Sequence, residues 1–275
     1  VLRVVTANAA GGRDRHGRTG AAPWGAWADA AAALAPDLLA VQEVDHLLPR
    51  SGDVDQTAAL RTALEAGGTP WHARFAAAIH GTPGARTSFT AARSTRTEEP
   101  SYGIALLSRH PVRRWDELRL TPSRATLPVL LPPGAGQRFL WVPDEPRVAL
   151  AAVVAAPGGD VSVLTTHLSF NPQRAWGQLR EVLRWSRDLP RPLVLLGDLN
   201  LPGRLPVLAT GLTSALRAPT HPASRPRVQL DHVLLDDRTG GLTVHAASTR
   251  VVGDSDHLAV EVELNLMAPP PPAPA

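Results

Sequence analysis

A chain of 275 residues with 44% hydrophobic and 19% charged side chains can bury a sizeable core, which excludes a disordered or collagen-like polymer. It holds no cysteine, so disulfides and thiolate chemistry are excluded, and no apolar run approaches the length of a membrane span. The formal charge is only +3, yet all 28 basic side chains are arginine. The planar guanidinium suits phosphate, but the accompanying wealth of Ala, Gly and Pro assigns most of these arginines to compositional bias.

In chain order, Leu2 to Asn8 reads as an interior strand ending on Asn8, with Gly11 and Gly12 beyond it. The chain opens directly in this strand, without a charged-then-apolar leader, which leaves cytoplasm and export of a trimmed precursor both open. Pro23 to Ala35 has helical composition, with Trp24, Trp27 and Leu34 on its buried side. Pro36 and Asp37 break it. A short strand then runs to Gln42, which places Glu43 at its rim or on the surface. Val54 to Ala66 is helical, with Leu60 and Leu64 one turn apart, and Gly67-Gly68 stops it. Trp71 to Ile79 reads as a strand. His80 to Pro100 has little periodicity and reads as a long surface loop. Its Arg86, Arg93 and Arg96 are expected to be solvated, with substrate contact as the alternative.

Ser101 to Ser108 is a strand and Val112 to Leu120 the next, antiparallel one. Thr121 to Gln137 is proline-rich and is expected to be irregular. Arg147 to Ala155 and Val161 to His167 form an antiparallel pair around Pro157-Gly158-Gly159-Asp160. Asn171 to Arg187 is the clearest helix, with Pro172 in its first turn and an apolar face of Trp176, Leu179, Leu183 and Trp185. The buried run Leu193 to Leu196 ends in Gly197-Asp198-Leu199-Asn200. Beyond it come a short helix near Leu205 to Ala209 and strands over Val228 to Leu235, Leu242 to Val252 and Leu258 to Leu264. Gly253 to His257 is a polar turn. We read one domain over residues 1–266 and a disordered Pro/Ala-rich tail over 267–275.

Eight polar residues lie in or just after apolar strands: Asn8, Glu43, His167, Asp198, Asn200, Asp231, Asp256 and His257. Carboxylates in such places are costly unless they share a counter-charge. A hard divalent cation supplies one, and oxygen donors favour Mg²⁺ or Mn²⁺ over zinc.

The motifs Thr6-Ala7-Asn8, Gln42-Glu43, Tyr102 to Ser108, Thr166-His167-Leu168, Gly197-Asp198-Leu199-Asn200, Leu230-Asp231-His232 and Ser255-Asp256-His257 stand in this order along the chain. Together they resemble the endonuclease/exonuclease/phosphatase superfamily, in its deoxyribonuclease, sphingomyelinase and inositol phosphatase branch. The resemblance implies an α/β four-layer sandwich of two face-to-face, mostly antiparallel β-sheets flanked by helices. It implies a metal-dependent phosphoesterase, with Mg²⁺ or Mn²⁺ held by Glu43, Asn8 and Asp256. Asp198 would deprotonate the attacking water, and Asn200 would hold the water or a phosphate oxygen. His257 would contact the phosphate, Asp231 would hold the His257 ring, and His167 would stabilise the phosphoryl charge. In the repair-nuclease branch a tyrosine usually stands at the place of His167, so the histidine points away from it.

Arg147 is expected on the surface at a strand edge, with phosphate contact as the alternative, Tyr102 is expected to be structural, and His232 to face away from the site. His110, His221 and His245 are left without a partner. The substrate is a phosphate ester, with nucleic acid, a phospholipid headgroup and inositol phosphate all open, and the protein is expected to be a monomer. The alternative is a catalytically silent binding module on the same fold.

Overall fold

A computed structural model describes residues 1–123, 126–130, 138–238 and 240–267. Its elements, in chain order, are β1 (Leu2–Asn8), α1 (Ala21–Ala32), β2 (Leu38–His46), α2 (Gln56–Glu65), β3 (His72–Gly81), β4 (Phe89–Ala91), β5 (Ser101–Ser108) and β6 (Val112–Arg119). There follow β7 (Thr126–Leu130), β8 (Phe139–Pro143), β9 (Val148–Ala156), β10 (Gly159–His167), α3 (Pro172–Trp185), β11 (Leu193–Asp198) and α4 (Leu205–Thr210). The last are β12 (Thr213–Ser214), β13 (Asp231–Asp236), β14 (Leu242–Arg250) and β15 (Ala259–Leu266).

These strands build a seven-stranded sheet, β14-β15-β1-β2-β5-β3-β4, and a six-stranded sheet, β12-β13-β11-β10-β9-β6. Most pairs are antiparallel, but each sheet holds one parallel pair, β1 with β2 and β10 with β11. The sheets lie face to face. Leu38, Ile104 and Val262 of the first pack with Leu150, Val163 and Leu196 of the second. The outer face of the first sheet buries Val5, Leu39 and Val41 under Trp24 and Trp27 of α1 and Leu60 of α2. The outer face of the second buries Leu164, Leu193 and Leu195 under Leu179 and Val182 of α3. This is the expected four-layer sandwich. Central strands covered on both faces must be apolar at successive positions, which is why β11 reads as an unbroken run from Leu193 to Leu196 rather than an alternating one.

A buried polar link joins the two sheets: Gln42 Nε2 donates to Thr6 Oγ1 and to Thr165 Oγ1 of the facing sheet, each at 3.1 Å. On α3, Asn171 caps the helix by accepting from Gln173 N and Arg174 N. The helix turns Ala175, Gln178, Leu179 and Val182 inward, while Trp176 and Leu183 stand at the margin. The sequence-derived face was thus rotated by one residue, because large apolar residues at the edge outweighed the small Ala175 and the polar Gln178.

Three expectations are corrected. The irregular reading of 121–137 gives way to a two-stranded ribbon, in which β7 pairs with β8. Pro128, which lacks an N–H, argued against a strand there and is tolerated in a ribbon with free edges; residues 124–125 and 131–137 lie outside the described residues. The 80–100 loop contains β4, paired to β3. β6 does not pair with β5 but crosses to the second sheet and pairs with β9. The 267–275 tail, apart from Met267, lies outside the described residues. No helix among the described residues is long and apolar enough to cross a membrane.

Candidate active site

Both parallel pairs end at the same rim. Asn8 stands beside Gln42 at the end of β1, and His167 stands beside Asp198 at the ends of β10 and β11. Asp231 opens β13 opposite Asp198. The turn 253–257 is tied to the same place, because Ser255 Oγ donates to Asn8 O at 2.7 Å and accepts from His257 N at 3.2 Å.

The two sheets meet at Asn8. Its Nδ2 donates to Glu43 Oε1 at 3.0 Å and to Asp198 Oδ2 at 3.1 Å, while its Oδ1 accepts from Ala10 N at 2.9 Å. One amide thus holds two carboxylates that come from different sheets. Glu43 is not beyond a strand end: β2 continues to His46, and Glu43 sits in a bulge against β5 with φ of 57°. The bulge turns its side chain toward the rim.

Asp198 is 2% exposed. Burial and the neighbouring Asp231 push its pKa up to about 7, outweighing His257 and the hydrogen bonds from Asn8 and Asn200 N. A carboxylate so poised can take and release a proton near neutrality. Burial alone would lower His257, but the 2.8 Å hydrogen bond from its Nδ1 to Asp231 Oδ2 and the charge of that carboxylate raise it to about 10. His257 is therefore a cation at neutral pH, with Nε2 3.9 Å from Asp198 Oδ2. Burial, with Arg147 and His257 nearby, holds His167 well below the usual imidazole range. His167 is neutral and offers an N–H rather than a charge, with Nε2 3.5 Å from Asp198 Oδ2. Asn200, at φ of 49°, donates Nδ2 to Leu168 O at 2.9 Å, which fixes its amide.

Glu43, His167, Asp198, Asn200 and His257 line one cavity of about 330 Å³. Asn8 and Asp231 stand behind it as supports. Asp256 is the outlier: its side chain is 65% exposed and approaches His221 Nε2 at 3.9 Å. His232 faces away as expected, with Nε2 2.9 Å from Leu201 O.

Arg147 is a correction. It is 6% exposed rather than a surface residue, it lines the same cavity, and its Nε is buried without a partner among the described residues. Its place at a strand start gave no sign of this, because the cavity is closed by elements distant in sequence. Glu145 and Arg50 are also in the lining. Burial is the main cause that pushes the Glu145 carboxyl up, and Glu145 accepts from Gly84 N at 3.2 Å. Arg50 is held by Asp45 through Nε at 2.8 Å and Nη2 at 2.6 Å, and lies over the Tyr102 ring. His221 does have a partner: its ring centroid is 4.6 Å from that of His257. From the 80–100 loop the cavity takes Pro83 and Gly84 and none of the arginines; Arg96 pairs with Glu99.

The donors fit a hard cation. The carboxylates of Glu43 and Asp198 are bridged by a single amide, and Asp231 Oδ1 is buried without a partner among the described residues. Such oxygen-rich, net-acidic sets suit Mg²⁺ or Mn²⁺.

The fold has many solved relatives. An endonuclease/exonuclease/phosphatase from Beutenbergia cavernae DSM 12333 superposes with a TM-score of 0.72 at 24% identity, covering 98% of this chain and 72% of that one. A mannosyl-6-phosphatase from Bacteroides thetaiotaomicron VPI-5482 gives 0.59 at 15% identity, covering 96% and 99%. D. rerio TDP2 complexed with a single strand DNA product gives 0.58 at 14%, covering 96% and 98%. No curated protein matches. The family model for the Endonuclease/Exonuclease/phosphatase family matches residues 5–257. With its motifs gathered at one rim of a two-sheet sandwich, the chain belongs to the endonuclease/exonuclease/phosphatase family.

Proposed function

We propose that the protein is a metal-dependent phosphoesterase that cleaves a phosphate ester by in-line attack of water. The observation that carries this is the Asn8 amide, hydrogen-bonded at once to Glu43 and Asp198, beside the Asp231–His257 pair. Glu43 would hold Mg²⁺ or Mn²⁺, with the Asn8 amide beside it once its oxygen replaces the Nδ2 that now donates to Glu43 and Asp198, and Asp256 from the exposed turn would reach the ion through water. Bound there, the ion supplies charge neutralisation on the phosphoryl group and the leaving oxygen.

The protein's own groups divide the remaining work. The cationic His257 and the guanidinium of Arg147 face the phosphate oxygens from the cavity wall. His167 donates an N–H to the same group as charge builds on it. Asn200, fixed by Leu168 O, orients the water. Asp198 Oδ takes the water proton as the new oxygen–phosphorus bond forms and the bond to the leaving oxygen breaks. Asp231 keeps the His257 ring in place and protonated.

The relatives include a protein named as a sugar-phosphate phosphatase and one solved with a DNA product, so they support phosphate-ester chemistry without selecting a substrate. The test is a panel of plasmid DNA, RNA, sphingomyelin, inositol phosphates and a bis-aryl phosphodiester, each with Mg²⁺ and with Mn²⁺. At least one is hydrolysed by the wild type. Asp198→Ala and His257→Ala each lose about 10²- to 10⁴-fold in rate or more, with circular dichroism unchanged. Wild-type turnover in either variant ends the assignment. Glu43→Gln raises the Mg²⁺ concentration needed for half-maximal activity; an unchanged titration removes Glu43 from the metal set.

A further inference from the structure

A cluster of arginines lies at the other end of the second sheet. A concave cavity of about 430 Å³ is lined by Arg180, Arg184, Arg187, Arg191 and Arg238, and among the described residues Asp236 is its only carboxylate. Asp236 is already engaged: it accepts from Arg191 Nε at 2.8 Å and from Arg238 Nε and Nη2 at 2.8 Å each. Arg191 also donates to the carbonyls of Ser186 and Leu189, so it is a structural residue.

Arg180, Arg184 and Arg187 are different. They are exposed, and among the described residues no carboxylate pairs with them. Arg180 and Arg184 stand four apart on α3, and Arg187 follows three residues later, so the three form one stripe. Like charges at this spacing destabilise a helix. The negative end of the helix dipole favours an arginine in the last turn, which accounts for Arg184 but not for Arg180, a turn earlier. Arg184 Nε also donates to Arg180 O at 3.3 Å, and the three guanidinium groups, none held by a carboxylate among the described residues, line one concavity and together can hold an anion.

The shape of the site selects the kind of anion. Residues 209–212 also line the cavity, and among the described residues no aromatic side chain does, so it offers no stacking platform for bases. It is also separate from the catalytic cleft. Asp236 faces Leu193 at one end of the β11–β13 ladder, and Asp231 faces Asp198 at the other. The strand between spans roughly 17 Å at about 3.3 Å per residue.

We propose that this cavity is a second, non-catalytic site for a compact anion carrying several phosphate groups, held by Arg180, Arg184 and Arg187. Free polyphosphorylated metabolites and polyphosphoinositide headgroups share this chemistry.

The test titrates the full chain with inositol hexakisphosphate and, separately, with inorganic phosphate, by calorimetry. The hexakisphosphate binds saturably and more tightly than phosphate. The triple variant Arg180→Gln, Arg184→Gln, Arg187→Gln weakens it about tenfold or more, the scale of losing a charge-assisted hydrogen bond. Arg147→Gln leaves it unchanged, which separates it from the catalytic cleft that Arg147 lines. So does a charge-matched control, Arg61→Gln, Arg93→Gln, Arg113→Gln, whose sites are exposed elsewhere. Thermal melting confirms that both triple variants are folded. Flotation with phosphatidylcholine vesicles, with and without polyphosphoinositide, identifies the source: arginine-dependent flotation assigns a headgroup, and soluble binding alone assigns a free metabolite. Equal losses in the two triple variants, no loss in the first, or loss in Arg147→Gln overturn the proposal. Arginine-dependent binding of a single-stranded DNA oligonucleotide without hexakisphosphate binding overturns it in favour of nucleic acid.

Discussion

Asp231 is fully buried, with one oxygen on His257 Nδ1 and the other without a partner among the described residues. A buried carboxylate is costly unless it is paired, and here the pairing sets the charge of the imidazole. A group with a raised pKa stays cationic below it, so His257 holds its proton until about pH 10. Asp231→Asn removes the charge and leaves burial to dominate, so the proton is lost at lower pH. We expect the alkaline arm of the pH–rate profile to move down, together with a fall in kcat at neutral pH; an arm that stays in place separates His257 from the chemistry. Residue identity at this scale was largely legible. His167 and Asp198 end apolar strands, Asn200 follows one, Asp231 opens one and His257 precedes one, and all stand at the rim. Arg147, Glu145 and His221 were not legible. Nothing within a few residues of Arg147 distinguishes a buried arginine from an exposed one.

At the scale of elements, β10 and β11 must approach closely to bring His167 beside Asp198. Gly197 permits this: its φ is 145°, and a Cβ would lie 2.1 Å from Thr166 O. Gly197→Ala is expected to destabilise the fold by more than about 1 kcal/mol, read as a lower urea midpoint, with a loss of activity beyond the loss of folded protein. A midpoint like the wild type would show that the strands can part without penalty. Strand existence was readable from apolar runs, but strand continuation was not. β2 passes through Glu43 because β5 opposes it on both sides of the bulge, between Gln42 and Val44. That partner lies far along the chain. For the same reason β6 reads as the neighbour of β5, yet its edge is taken by β9.

For the molecule as a whole, the site exists only while the two sheets keep their offset, since Glu43 belongs to one and Asp198 to the other. Gln42 reaches across the interface beneath it. Gln42→Ala would leave Thr6 and Thr165 hydroxyls buried and unsatisfied, at a cost of about 1–3 kcal/mol. We expect a lower melting temperature, and a weaker Mg²⁺ dependence if the sheets shift; unchanged values in both measurements would make the link incidental.

The order of polar residues after apolar strands, and the types of donor they carry, were determined by the sequence, because strand burial and side-chain chemistry are local properties. The bulge at Glu43, the burial of Arg147, the proximity of His221 to His257 and the arginine-lined cavity at the far end of β11 were decided only by the tertiary structure. Each depends on which distant segments close over a residue, and that is settled by packing between layers rather than by neighbours along the chain.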